Sequence, residues 1–211
     1  MSSGIDLRTF TFIDVLQPQT AGFVGTISKG YLPLAGQAAL FVEVSPGMGI
    51  NGVMDAVLKN TTCTPGIMVV ERRSGVLEVH DDDQGQVRAA ADAISDILDI
   101  NPADRLKPRV VSAQMIHGVS PHHSQLVNRM RHGDLIHEGD TLYVLEIHPA
   151  GYALLATNEA EKAANIHVLE MLAFGAFGRV YLGGSEEELS QAAAAAIAAL
   201  EDIDGRENPP R

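Results

Sequence analysis

Tryptophan is absent, cysteine occurs once, and aromatic residues make up only 5% of the chain. With Cys63 alone, no intramolecular disulfide can form, no CxxC zinc pattern exists, and nothing calls for an oxidising compartment. Positive charge is also scarce, with 15 Lys and Arg against 27 Asp and Glu and a net charge of -12. Binding to a phosphate backbone rests on clustered Lys and Arg. The largest basic cluster, Arg129, Arg131 and His132, is small and reads as a solvated loop, so no nucleic-acid partner is expected. No apolar run reaches the roughly 18–20 residues of a membrane span. Met1–Arg8 carries no basic stretch followed by an apolar core. Neither a membrane anchor nor a signal peptide is therefore expected, and the chain reads as a soluble cytoplasmic protein.

The motifs of common catalysts are missing too. There is no GxSxG elbow, no P-loop and no GxGxxG turn. Cys63, beside Thr61, Thr62 and Thr64, reads as a packing cysteine rather than a nucleophile. His117, His122, His123, His132 and His137 form a cluster in sequence, but their spacing matches no zinc pattern. Asp81, Asp82 and Asp83 read as an acidic cap at the start of a helix rather than a cation site. No metal, cofactor or catalytic residue is assigned.

What is present is a repeat. Displaced by 103 positions, the second half falls on the first without a gap, so that Gly36 meets Gly139. Pro18 meets Pro121, Gly30 meets Gly133, Glu43 meets Glu146, Pro46 meets Pro149, Lys59 meets Lys162, and Gly75 meets Gly178. Apolar positions coincide as well: Ile13 with Ile116, Val24 with Val127, Leu32 with Leu135, Ile94 with Ile197. Two copies are too few for a solenoid, which needs about three. The chain reads as two fused domains, 1–104 and 105–211, that stand in for two subunits of a ring.

Each half repeats one order of elements. In the first, Leu7–Leu16 and Ala38–Val44 are apolar and β-branched and read as strands, the second closed by Ser45-Pro46-Gly47. Val53, Met54, Val57 and Leu58 give Ile50–Asn60 helical spacing. Gly66–Val70 and Val76–His80 form a strand pair, and Val87, Ala90, Ala91, Ile94, Ile97 and Leu98 mark a second amphipathic helix. The other half gives strands at Val110–Ile116 and Thr141–Ile147, a helix at Tyr152–Ala164, a strand pair at Val168–Leu172 and Arg179–Leu182, and a helix at Glu186–Ile203. The linker Asn101–Pro108 is polar, and the tail Asp204–Arg211 is expected to fray. Each module is α+β, with strands covered on one side by two helices. The loops between the short strands differ: Glu71-Arg72-Arg73-Ser74-Gly75 is charged, whereas Phe174-Gly175-Ala176-Phe177-Gly178 is small and aromatic.

These residues resemble a known family, the bacterial microcompartment shell protein domain, which is ferredoxin-like. The segments that carry the resemblance are Val42–Gly47, Met54–Lys59, Pro149–Tyr152, Asn158–Ala163 and Gly175–Arg179. In each half the strand that usually closes the domain comes first, which is the circularly permuted arrangement. A tandem permuted chain resembles the trimer-forming shell proteins with a gated pore, most closely those of carboxysomes. The resemblance covers about Leu7 to Ile203. It implies a pseudohexameric homotrimer that packs with other shell proteins and passes small metabolites through a central pore, in the shell of a compartment in the bacterial cytoplasm. It implies that Glu71 and Arg72 gate the pore, that Arg73, Ser74, Phe174, Gly175, Ala176 and Phe177 line it, and that Lys59 and Lys162 sit at tile edges. It also implies that trimers stack face to face. Two rival readings predict other outcomes: a small-molecule-binding regulator with a ligand site between the modules, and an enzyme built on the histidines from His117 to His137.

Overall fold

A computed structural model describes residues 4–130 and 132–210. The chain divides into two compact units, one running to Lys107 and taking in the tail from Asp204, the other Pro108–Ile203. The sequence places the division between 104 and 105 and gives the tail to the second half; the structure returns the tail to the first unit.

The first unit runs β1 (Asp6–Ile13), α1 (Pro18–Ile27), β2 (Ala38–Ser45), α2 (Ile50–Asn60), β3 (Thr64–Glu71), β4 (Ser74–Asp81) and α3 (Gln84–Leu98). The second repeats it as β5 (Arg109–Ile116), α4 (Pro121–Met130), β6 (Thr141–His148), α5 (Tyr152–Ala163), β7 (His167–Leu172), β8 (Gly178–Gly184) and α6 (Glu186–Glu201). Each unit is a four-stranded antiparallel sheet, in the orders β1-β2-β4-β3 and β5-β6-β8-β7.

Alternation along the strands builds the cores. Leu40, Val42 and Val44 of β2 and Leu77 and Val79 of β4 point to one face, where they pack with Val53 and Val57 of α2 and Val87, Ala90 and Ile94 of α3. The helix starts follow from local chemistry. The Asp83 carboxylate accepts from the Gly85 N–H at 2.7 Å and caps α3, and Ser185 and Glu188 form a reciprocal capping box on α6. Cys63 is buried within the first core, and burial pushes its thiol up.

The sequence reading placed two helices on one side of each sheet. The structure adds α1 and α4 on the opposite side. In the second unit Val127 of α4 packs with Leu142 and Leu169, on the sheet face away from Leu145 and Ile147. Arg129 therefore lies in the last turn of α4 rather than in a loop, and Arg131 falls outside the described residues.

The tail is tied down rather than frayed. Leu106 and Arg206 form a parallel bridge, Lys107 N–H donates to the Arg206 carbonyl at 2.9 Å, and Arg206 N–H donates to the Arg105 carbonyl at 2.7 Å. The Arg206 guanidinium reaches Asp6 at 2.5 Å and the Leu7 carbonyl at 3.0 Å. Glycine at 205 permits this approach, because a Cβ there would collide with the Arg105 carbonyl.

Candidate functional site

The charged loop Glu71–Gly75 is a tight hairpin tip. Glu71 pairs with Ser74 across β3 and β4, which leaves Arg72 and Arg73 as a two-residue turn. Gly75 lies against the backbone at Gly47, where a Cβ would clash; its repeat partner Gly178 lies in the same way against Ala150. The repeated glycines thus seat both hairpins on the start of the helix that precedes them.

Arg72 has φ 53°, in the left-handed region that side-chain-bearing residues rarely adopt. Its repeat partner by the 103-residue displacement is Gly175, with φ 101°. Arginine thus stands at a backbone position where the other copy uses glycine. The Arg72 guanidinium lies 3.7 Å from the Glu71 carboxylate, with the side chains 79% and 42% exposed. Arg73 is exposed and Ser74 is buried. Glu71, Arg72 and Arg73 therefore share one solvent-facing tip, while Ser74 faces inward.

The second loop holds Phe174, Gly175, Ala176 and Phe177 between β7 and β8. Ala176 is exposed, Phe174 and Phe177 are half-buried, and the Phe177 ring meets His148 edge-on with centroids 6.1 Å apart. One hairpin presents charge, and its repeat presents small and aromatic groups.

Lys59 ends α2 and reaches Asp55 at 2.7 Å; Lys162 ends α5 and reaches Glu159 at 3.3 Å. The histidines do not converge. His132 pairs with Glu170 at 2.6 Å, His137 with Asp140 at 3.5 Å and His117 with Glu186 at 3.5 Å. Among the described residues, no group of three potential ligands could hold a metal ion, and no helix is long and apolar enough to cross a membrane.

Sequence reasoning missed the difference in burial between equivalent positions. On the α1 side of the first sheet, Thr9, Glu43 and Glu78 are inaccessible. Their partners Ser112, Glu146 and Tyr181 line an open cleft of about 740 Å³, with Gln114, Met130 and Arg179. Glu43 pairs with Arg8 at 2.7 Å with its carboxylate buried, whereas Glu146 pairs at 3.0 Å in the open face with Arg179, a residue from a different strand position than Arg8. Along α2 and β3 the contrast reverses. Met68 is 40% exposed, whereas its partner Met171 is 2% exposed. Asp55 is open, whereas Asn158 is buried. The second unit leaves one type of surface open and the first unit leaves the other.

Glu78 is unlike its repeat partner Tyr181. Its carboxylate is buried, lies 3.0 Å from His80 Nδ1, and keeps Oε2 without a hydrogen bond among the described residues. Burial pushes the Glu78 carboxyl above its ordinary range, against the opposite pull of His80.

The family described as the CsoS1D N-terminal domain matches residues 7–104. The carboxysome shell protein CcmP of Synechococcus elongatus is 47% identical over 98% of this chain and 97% of its own length. The structure of the fused permuted hexameric shell protein MSM0275 of the RMM microcompartment is 47% identical, covers 95% of this chain and 99% of its own, and superposes with a TM-score of 0.92. The double ringed trimeric shell protein MSM0271 of the same compartment is 36% identical, covers 97% of this chain and 100% of its own, and superposes with a TM-score of 0.93.

Proposed function

The chain belongs to the tandem-domain, circularly permuted shell proteins of bacterial microcompartments that include the carboxysome protein CcmP, and from that membership we propose a three-chain pseudohexameric tile with a gated pore. It is a structural protein of the shell of a microcompartment in the bacterial cytoplasm. The observation that carries the ring is the crossed burial of equivalent surfaces. An open sheet face on the second unit and an open α2 and β3 on the first make a head-to-tail pair. A head-to-tail contact closes into a ring when its rotation allows. Three chains, each with two modules, give six modules around one axis.

The hairpins at 71–75 and 174–178 then alternate around that axis. Three copies of Glu71 and three of Arg72 meet, and Arg73 stands beside them, while the buried Ser74 supports the tip from within. Like charges about 4 Å apart repel by about 4 kcal/mol at an effective dielectric of 20. Alternating carboxylate and guanidinium groups cancel that repulsion and close the hole with charge-assisted hydrogen bonds. Exposed pairs of this kind are individually worth about 1 kcal/mol or less, so the side chains swing aside at small cost. Phe174, Gly175, Ala176 and Phe177 form the frame between the gates. Passage is passive and selected by width and charge, which requires no catalytic residue. Lys59 and Lys162 lie at tile edges, where tiles join one another and other shell proteins, and two tiles stack face to face.

Electron microscopy of two-dimensional assemblies tests this reading. Hexagonal tiles with one axial opening, narrowed in some particles and wide in others, are expected. Assemblies without a threefold axis would overturn it.

A further inference from the structure

The two units differ at the free edge of the first strand of each sheet. In the first unit that edge is occupied. Leu106 N–H donates to the Arg8 carbonyl at 3.1 Å, the Arg105 guanidinium donates to the Phe10 carbonyl at 2.7 Å, and the Arg206 guanidinium donates to the Leu7 carbonyl at 3.0 Å. Arg8 sits at an irregularity in the β1–β2 register, which turns its carbonyl outward. A short extended strap from the linker, backed by the tail, thus covers the β1 edge.

The second unit repeats the edge but not the strap. The register of β5 against β6 has the same irregularity at Val111, the partner of Arg8. Among the described residues, no loop or tail backbone group donates to Val110, Val111 or Ala113. Leu7 is 2% exposed, and its partner Val110 is 39% exposed. An open strand edge with exposed apolar side chains is a template for strand addition. The charge at its end is reversed as well. Asp6, which takes Arg206 in the first unit, becomes Arg109, whose buried Nε has no hydrogen-bond partner among the described residues.

We propose that the β5 edge from Arg109 to Ala113 is a strand-addition site for an extended segment of a partner protein that carries a carboxylate opposite Arg109. The strap shows what fits. It meets the strand through the Arg105 guanidinium on the Phe10 carbonyl and the Leu106 N–H on the Arg8 carbonyl, while Arg206 of the tail meets the Leu7 carbonyl and Asp6. The partner segment therefore sets an apolar residue against Val111, as Leu106 stands against Arg8, and a carboxylate against Arg109, as Arg206 stands against Asp6. The strap's own basic residues, Lys107 and Arg206, would meet Arg109 with like charge, so this chain's linker sequence is the wrong occupant.

The test uses two fluorescein-labelled eight-residue peptides, one with the core Arg-Leu-Glu-Glu and one with Arg-Leu-Lys-Lys. Each is titrated against the full chain by fluorescence anisotropy, and light scattering on the same solutions records the state of assembly. The acidic peptide is expected to bind about three- to fivefold more tightly, the range one partly exposed ion pair supplies. Arg109→Glu is expected to invert the order without changing the assembled mass. Equal affinities, an order unaffected by Arg109→Glu, or no binding by either peptide would overturn the proposal. No binding while the ring forms normally points to an edge taken by a second copy. Loss of the ring itself would instead count against the tile.

Discussion

Replacing Arg72 with glycine is expected to stabilise the first unit, although it deletes half of the proposed gate. Arg72 holds φ 53°, a conformation that costs a residue with a Cβ about 1–2 kcal/mol. Glycine removes that cost, as Gly175 does at the equivalent position with φ 101°. It also loosens the unfolded chain, which takes back about 0.4–1 kcal/mol. The ion pair lost with the arginine spans 3.7 Å from a largely exposed side chain, so its removal costs a few tenths of a kcal/mol at most. The balance is a gain of about 0.5–1 kcal/mol. Urea denaturation of wild type, Arg72→Gly and Arg72→Ala at equal chain concentration measures it. The alanine variant keeps the backbone cost and is expected to gain nothing. If Arg72→Gly is no more stable than wild type, or if the alanine variant gains as much, the strain argument fails. A confirmed gain would mean that this position keeps arginine at the expense of stability, as a functional side chain would require.

Four further outcomes follow from the same geometry. Arg206→Ala removes the ion pair to Asp6 and the hydrogen bond to the Leu7 carbonyl. It is expected to lower stability by about 1–3 kcal/mol; a urea midpoint that does not move would mean that the tail merely rests on the unit. The Glu78 carboxyl is held above its ordinary value near 4.5 by burial, so the folded state keeps its proton longer than the unfolded chain. The stability contributed by this group is complete below that value and is lost as pH rises through the folded pKa. Glu78→Gln should flatten the decline in stability as pH rises above the ordinary carboxyl value, and equal slopes for wild type and variant would refute the assignment. Val144→Asp, on the open sheet face of the second unit, should leave the far-ultraviolet circular dichroism unchanged while the assembled mass falls to that of one chain. Lys59→Ala should abolish two-dimensional sheets under electron microscopy yet leave the mass of the ring unchanged; loss of the ring would misplace α2.

Much of the fold is legible in the repeat. The spacing of Val53, Met54, Val57 and Leu58 places α2 at Ile50–Asn60, where it is found, and Asp83 marks the start of α3. The helices α1 and α4 were harder to read. Gly22 and Gly25 interrupt α1, and α4 is polar overall, with only Leu126, Val127 and Met130 apolar after its proline. The strap was invisible because its bonds join residues about a hundred positions apart, as Arg105 does with the Asp204 carbonyl. Polar residues with two prolines read as a frayed end when no partner is in sight. The tip at Arg72 could have been anticipated, because the displacement that sets Gly36 on Gly139 also sets Arg72 on Gly175. The crossed burial of the two units could not. Met68 and Met171 are the same residue, and only their surroundings differ.

The tile and its pore both require three chains to close into one ring. Static light scattering of the purified full chain over a range of concentrations tests it most directly. A mass of three chains, or of six when two tiles stack, is predicted. A mass of one or two chains at every concentration would remove the threefold axis and with it the pore and the roles of Glu71 and Arg72.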